Sequence, residues 1–211
     1  TDAFEYIKDH HGAVNAFVID NAYEVIGIND RLALAEAEKY HQTAIKKYWM
    51  LEGVTFVSPE SIYIEKYVTI GQDTIIEQGT MLKGKTEIGE NCTIGPYSEV
   101  IDTKIGNEVK VKHSTLLESS VDDRTVVGPY AYLRPKSIVG KDCKIGDFVE
   151  VKNTTIGDCT KISHLTYVGD GKVGNNVNLG CGVVFVNYDG VNKHLTVIED
   201  DVFVGCNTNL I

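Results

Sequence analysis

The sequence predicts a mainly β protein: a three-sided parallel β-helix preceded by one long helix. Two observations carry this. From Ile64 to Leu179 an aliphatic residue recurs every six positions, with occasional steps of five: Ile64, Ile70, Ile76, Leu82, Ile88, Ile94, Val100, Ile105, Val111, Leu116, Val121, Val127, Leu133, Val139, Ile145, Val151, Ile156, Ile162, Val168, Val173 and Leu179. More than half of the 20 glycines stand one place after such a residue, and a small or β-branched residue usually stands four places after it. Repeats of fixed short period are the mark of a solenoid, and three six-residue units make one coil.

The elements follow in order. Residues 14–28, VNAFVIDNAYEVIGI, hold two short apolar runs that read as strands. Residues 29–53 read as a helix: alanine, glutamate and lysine dominate, Asn29 or Asp30 is placed to cap the start, and Gly53 to end it. Residues 54–211 are the β-helix, roughly eight coils at about 18 residues each. With the aliphatic residue called i, positions i and i+4 share the inward face of an extended chain, and i+1 and i+5 point out. Glycine at i+1 is expected to let the backbone turn. Each buried aliphatic contributes about 1.5–3 kcal/mol, so the interior column is sufficient to specify the fold. The count fails over residues 185–195, where a loop must project, and resumes at Ile198, Val204 and Leu210. It stops at Ile211 without a cap, which reads as a piece of a longer protein.

Composition narrows the function. The net charge of −10 argues against nucleic acid and anionic membranes as partners. No apolar run approaches the ~20 residues of a membrane helix, so no membrane insertion is expected. No signal peptide is visible. The five cysteines, with no paired spacing, read as free thiols in a reducing cytoplasm.

Chemistry concentrates in DFVEVKNTTIGDCTKISHLTY, residues 147–167. Counting units in threes puts Val127, Ile145 and Ile162 on one face and Leu133, Val151 and Val168 on the next. Arg134 and Lys152 then stack at i+1 on adjacent coils, ~4.8 Å apart. Glu150 and Tyr167 stack at i+5, and His164 lies three residues before Tyr167. Two adjacent cations suit a phosphate. A histidine near a carboxylate suits a general base. Singly, each reads as an ordinary surface residue; their convergence on one corner favours a site. Cys181 and Cys206 follow His164 in one column, a linear arrangement that suits tetrahedral zinc poorly and a groove lining better.

The segments LRP (133–135), DFVEVK (147–152), SHLTYVGD (163–170), VNLGCG (177–182) and VNYDG (186–190) resemble the acetyltransferase domain of the bacterial bifunctional N-acetylglucosamine-1-phosphate uridyltransferase / glucosamine-1-phosphate acetyltransferase family. GINDRLALAEAE, residues 27–38, is similar to that family's junction between uridyltransferase domain and linker helix. The resemblance implies a left-handed β-helix at 54–211, a linker helix at 29–53, and at 1–28 a remnant of an α/β nucleotidyltransferase domain. It implies a cytoplasmic homotrimer with sites between subunits, using acetyl-CoA and glucosamine-1-phosphate on the way to UDP-N-acetylglucosamine, a cell-wall precursor. By motif, His164 is the general base and Glu150 its partner. Arg134, Lys152, Tyr167 and Asn178 hold the sugar phosphate, and Asn187, Tyr188 and Lys193 serve it or the acetyl-CoA. Cys181 and Cys206 line the acetyl-CoA groove, and Asn29 matches an Mg²⁺ ligand of the uridyltransferase site. Most of the uridyltransferase domain and its glycine-rich loop are not in this chain. The alternatives are an acyltransferase for another amino sugar and a non-catalytic scaffold.

Overall fold

The structure, a computed structural model, describes residues 2–211 and divides into two units, Thr1–His41 and Gln42–Ile211. In the first, helix α1 spans Asp2–Asp9, a 3₁₀ turn spans Ala22–Val25, and helix α2 begins at Arg31 and continues to Leu51 in the second unit. Asp30, not Asn29, caps α2: its carboxylate accepts the Ala33 N–H at 2.8 Å. The strands expected in residues 14–28 do not form. A strand needs a neighbouring edge to take its ladder bonds, and among the described residues none borders this segment. Phe17 and Val18 are accordingly 89% and 84% exposed. At the other end of α2, Gly53 turns the chain with φ +92, as its left-handed position requires.

The second unit is a left-handed parallel β-helix with three flat faces. The first face contains Val126–Val127, Lys144–Asp147, Lys161–His164 and Asn178–Leu179 among nine strands. The second, also of nine, contains Tyr132–Leu133, Glu150–Lys152, Tyr167–Gly169 and Val184–Phe185. The third has eight, including Thr155–Ile156, Gly171–Val173 and Thr196–Ile198. Every aliphatic residue of the six-count from Ile64 to Leu179 is buried, as are Ile198 and Val204. Phe185, 1% exposed, takes the next step of the count, so the loop leaves the coil after it, at residues 186–195. The i+4 hydroxyls close the inner layer by donating to backbone carbonyls of the next coil, as Thr125 does to Gly140 at 2.7 Å and Thr160 to Gly174 at 2.9 Å.

Gly95 and Gly128, with φ +115 and +102, turn the chain at i+1 as expected, but most glycines at i+1 have a different purpose. The left-handed corner residues stand at i+3, such as Asn91, Asp142 and Asn176, or at i+2 in five-residue steps, such as Asn153 and Asp170. Most are not glycine; asparagine and aspartate tolerate this conformation well. At i+1 the constraint is contact between coils. A Cβ on Gly157 would lie 2.7 Å from Gly174 backbone atoms, and one on Gly71 2.5 Å from Gly89.

Within the same unit, the C-terminal half of α2 closes the start of the β-helix. The Gln42 amide imitates a neighbouring strand, donating to the Ile64 carbonyl at 2.9 Å and accepting the Ile64 N–H at 3.0 Å. The Lys46 ammonium donates to the Pro59 and Ile62 carbonyls, and Ile45 and Trp49 pack against the core.

Candidate functional site

The lattice of coils decides which side chains meet. On the second face Tyr132, Glu150 and Tyr167 stand directly above one another. Arg134 donates to Glu150 across 2.7 Å, and this bond holds the guanidinium above its ordinary pKa. Gly169 makes room for the Tyr167 ring, since a Cβ there would collide with the tyrosine hydroxyl. One coil step away, Lys152 donates to Asp170 at 3.2 Å. Asp170 also accepts Asn153 at 2.7 Å and Asn187 at 2.6 Å. Burial works to raise the Asp170 pKa, but these bonds and the Lys152 charge bring it below the ordinary carboxylate value. The Lys193 amine lies against Lys152. The Lys152 ammonium beside it holds Lys193 below the usual lysine range, while the Asp170 carboxylate holds Lys152 above it. Arg134, Lys136, Lys152, Asn153, Asp170 and Lys193 surround, with Pro135, a cleft of about 320 Å³. A wider hollow of about 430 Å³ also gathers three lysines, Lys85, Lys104 and Lys136, but Glu87, Asp102 and Glu118 line it with them.

His164 ends its strand on the first face, half exposed, directly opposite Asp147 of the preceding coil. Its Nδ1 lies 2.7 Å from Asp147 Oδ1. The carboxylate partner is therefore Asp147 and not Glu150, which Arg134 occupies. The register explains this: Asp147 and His164 share a column, whereas Glu150 belongs to the next face. The two adjacent cations each have a carboxylate partner, Arg134 in Glu150 and Lys152 in Asp170.

The loop at 186–195 holds itself together. Asp189 accepts the Val191 and Asn192 N–H groups and the His194 ring, and these partners, His194 first, hold its carboxyl well below the usual range. Tyr188, exposed, donates back to the Gly190 carbonyl and bridges to Lys193. Asn187 is buried at the loop's base. Asn178 stands apart from this cluster, stacked between Lys161 and Phe203 on the first face. Cys181, half buried, and Cys206, exposed, follow His164 up the same edge of that face. Asn29 is exposed in the first unit. Mg²⁺ demands several oxygen ligands in near-octahedral array, and no group of three or more His, Cys, Asp or Glu among the described residues is arranged to hold a metal. Asn29 supplies a single oxygen, so a Mg²⁺ ion bound there would take its remaining ligands from outside the described residues. Asp147, Asp170 and Asn153 are the residues that sequence reasoning missed.

Fold, repeat and polar corner define a class: a hexapeptide-repeat β-helix protein of the kind found among bacterial transferases. The family model for bacterial transferase hexapeptide (six repeats) matches residues 67–101. The particular resemblance is closer. Along its whole length the chain is similar to proteins named Bifunctional protein GlmU, at 51% identity over 211 residues to that of Alkaliphilus metalliredigens and 54% over 211 residues to that of Acetivibrio thermocellus. It covers 46% of each, so the chain spans about half the length of the curated relatives it matches. Among solved structures, the UDP-N-acetylglucosamine acyltransferase from Campylobacter jejuni aligns with a TM-score of 0.50 at 13% identity, covering 74% of this chain and 66% of that one. The Arabidopsis UDP-N-acetylglucosamine acyltransferase aligns with a TM-score of 0.50 at 14% identity, covering 74% and 62%. At such identities these two speak for the fold alone. No helix among the described residues is long and apolar enough to cross a membrane.

Proposed function

We propose that this chain transfers acetyl from acetyl-CoA to the amine of glucosamine-1-phosphate, giving N-acetylglucosamine-1-phosphate. The observation that carries the reading is the exposed imidazole of His164, anchored at Nδ1 by a carboxylate, in the coils that also form the Arg134–Lys152–Lys193 cleft. The acceptor amine is mostly ammonium at neutral pH. Once that ammonium has released one proton to solvent, the free nitrogen forms a bond to the thioester carbonyl carbon while His164 takes a second proton from it at Nε2; the C–S bond breaks, and the proton on Nε2 passes to the departing thiolate, leaving a neutral amide. No covalent enzyme intermediate is needed. The phosphate occupies the cationic cleft, where Arg134 binds it through the donors not given to Glu150 and Lys152 and Lys193 add point charges. Tyr167, Asn178, Asn187 and Tyr188 hold the sugar, and Cys181 and Cys206 line the acetyl-CoA groove. Holding both substrates in one groove supplies much of the rate.

In this reading three copies assemble, flat face to flat face, with each loop at 186–195 reaching a neighbour's site. The protein acts in the cytoplasm. The relatives are named bifunctional, and in this reading the whole protein's second activity is uridylyl transfer with Mg²⁺, to which this chain contributes Asn29. The test is acetyl-CoA consumption by the intact protein with glucosamine-1-phosphate against glucosamine, for wild type and His164→Ala. The variant should lose ~10²–10⁴-fold in rate while keeping its assembly in sedimentation. Activity within a few-fold of wild type would move the base elsewhere, and equal use of the two acceptors would remove the phosphate from the reading.

A further inference from the structure

We propose that Asp147 is the positioning residue for His164, holding the imidazole in the one tautomer that leaves Nε2 free to take the acceptor's proton. This rests on the acetyl-transfer reading above and goes beyond it by assigning a role to a residue outside the expected site.

The geometry makes the case. Asp147 and His164 are opposed in register on adjacent coils, and their side chains meet at 2.7 Å. Backbone bonds fix both sides of the contact. Leu165 N–H donates to the Asp147 carbonyl at 3.0 Å, and the Thr166 hydroxyl to the His164 carbonyl at 2.7 Å. The residues that follow each partner, Phe148 and Leu165, both turn through the left-handed region, so the two strands end in the same way. The carboxylate is ionised: the Asp147 backbone N–H and then His164 hold it below the ordinary aspartate range. An ionised carboxylate only accepts hydrogen bonds. Nδ1 must therefore carry the hydrogen, and in the neutral ring the lone pair is then on Nε2.

The surroundings leave this task to Asp147. Lys144 shares Asp147's strand and Lys161 shares that of His164. Cys181 lies one coil above, and Glu150 and Tyr167 belong to the adjoining face, with Glu150 engaged by Arg134. Among the described residues, Asp147 is the hydrogen-bond partner of the imidazole. When Nε2 takes the amine proton, the Nδ1–H···Asp147 bond becomes charge-assisted on both sides and so strengthens as the proton moves. When the thiolate departs, Nε2 returns that proton and the ring is restored in its starting tautomer.

The experiment uses the intact protein with ¹⁵N-labelled histidine, as wild type, Asp147→Asn, Asp147→Glu and His164→Ala, the last to assign the His164 signals. In neutral wild-type His164 the proton should be on Nδ1 and not on Nε2. Asp147→Asn, close to isosteric, should shift the tautomer distribution, lower kcat by about 10²-fold and leave KM for both substrates within about threefold. Asp147→Glu should recover part of kcat, which a merely structural aspartate would not predict. A wild-type proton on Nε2, or an Asp147→Asn variant with kcat within about threefold of wild type, overturns the proposal. Should the variants not fold, the wild-type tautomer still decides. A wild type with Nδ1–H but no acetyl transfer would sink the functional reading and leave the contact standing.

Discussion

Asp170 is where fold and cleft depend on a single carboxylate, and Asp170→Asn isolates its charge while keeping its shape. In wild type the side chain accepts from Lys152, Asn153 and Asn187, with Lys152 and Asp170 only 19% and 13% exposed. Removing one partner of a fully buried pair costs about 3–5 kcal/mol, and an exposed pair contributes about 0–1 kcal/mol. This pair lies between those limits, and the asparagine retains one accepting oxygen, so about 2 kcal/mol should be lost. For a domain of this size that lowers Tm by about 4–8 °C at pH 7. The pH dependence gives the sharper test. The folded pKa of Asp170 is depressed. Its stabilisation is therefore complete above the unfolded value of about 3.9 and disappears as pH falls through the lower folded value. The Tm difference between wild type and variant should stay constant from about pH 7 to about pH 5 and shrink progressively as pH falls below about 4. Calorimetry across that range measures it. A difference that does not shrink at all below about pH 4, or none at pH 7, refutes the assignment of the stabilisation to charge.

Three further outcomes follow from other contacts. Gln42→Ala should cost about 2 kcal/mol in urea unfolding, because it strands both the N–H and the carbonyl of buried Ile64; an unchanged midpoint would mean that water replaces the amide. Gly157→Ala should cost about 1–3 kcal/mol by forcing adjacent coils apart, whereas Gly205→Ala, with nothing within 4 Å of the added methyl, should stay within about 0.5 kcal/mol; equal costs would show that conformational freedom, not coil contact, selects glycine. Arg134→Ala should raise KM for a phosphorylated acceptor more than for its unphosphorylated form, and equal penalties would remove Arg134 from the phosphate cleft.

Most of the fold was legible because the interior obeys a simple rule. Each sixth residue faces the core, so aliphatic spacing alone located the coils, the faces and the interruption before Ile198. The misreadings came from features that spacing does not encode. Phe185 fills the interior position before the loop, but an aromatic broke a count kept to aliphatics. The i+1 glycines were all credited to turning, which holds for Gly95 and Gly128 but not for most, because spacing along the chain carries no information about the coil stacked above it. Residues 14–28 have strand composition, yet composition does not supply the neighbouring edge a strand requires.

The site was legible where side chains were compared one coil apart and misread where they were compared along the chain. Arg134 over Lys152 and Glu150 over Tyr167 came from counting coils, and their register is as counted. The pairing of His164 with Glu150 ignored the coils, although Asp147 was already in the segment under study. In this lattice polar contacts run vertically: Asp147 to His164 spans 17 residues, Arg134 to Glu150 16, and Lys152 to Asp170 18. A coil of 16 to 18 residues thus brings together an acid and a base that look unrelated in sequence. The loop at 186–195 lengthens one coil, so the corresponding contact from Asn175 to Asp200 spans 25 residues. Asn187 precedes the added length and meets Asp170 at the ordinary 17, so the loop's base keeps the coil register while its outer part, with Tyr188 and Lys193, is free to project. Lys193 nevertheless returns to line the cleft beside Lys152 and Asp170. The loop therefore meets the cationic cleft at both ends: at its base the Asn187 amide is tied to Asp170, and at its far end Lys193 stands beside Lys152 as a second like charge, so an anion bridging the two lysines acts on the loop directly.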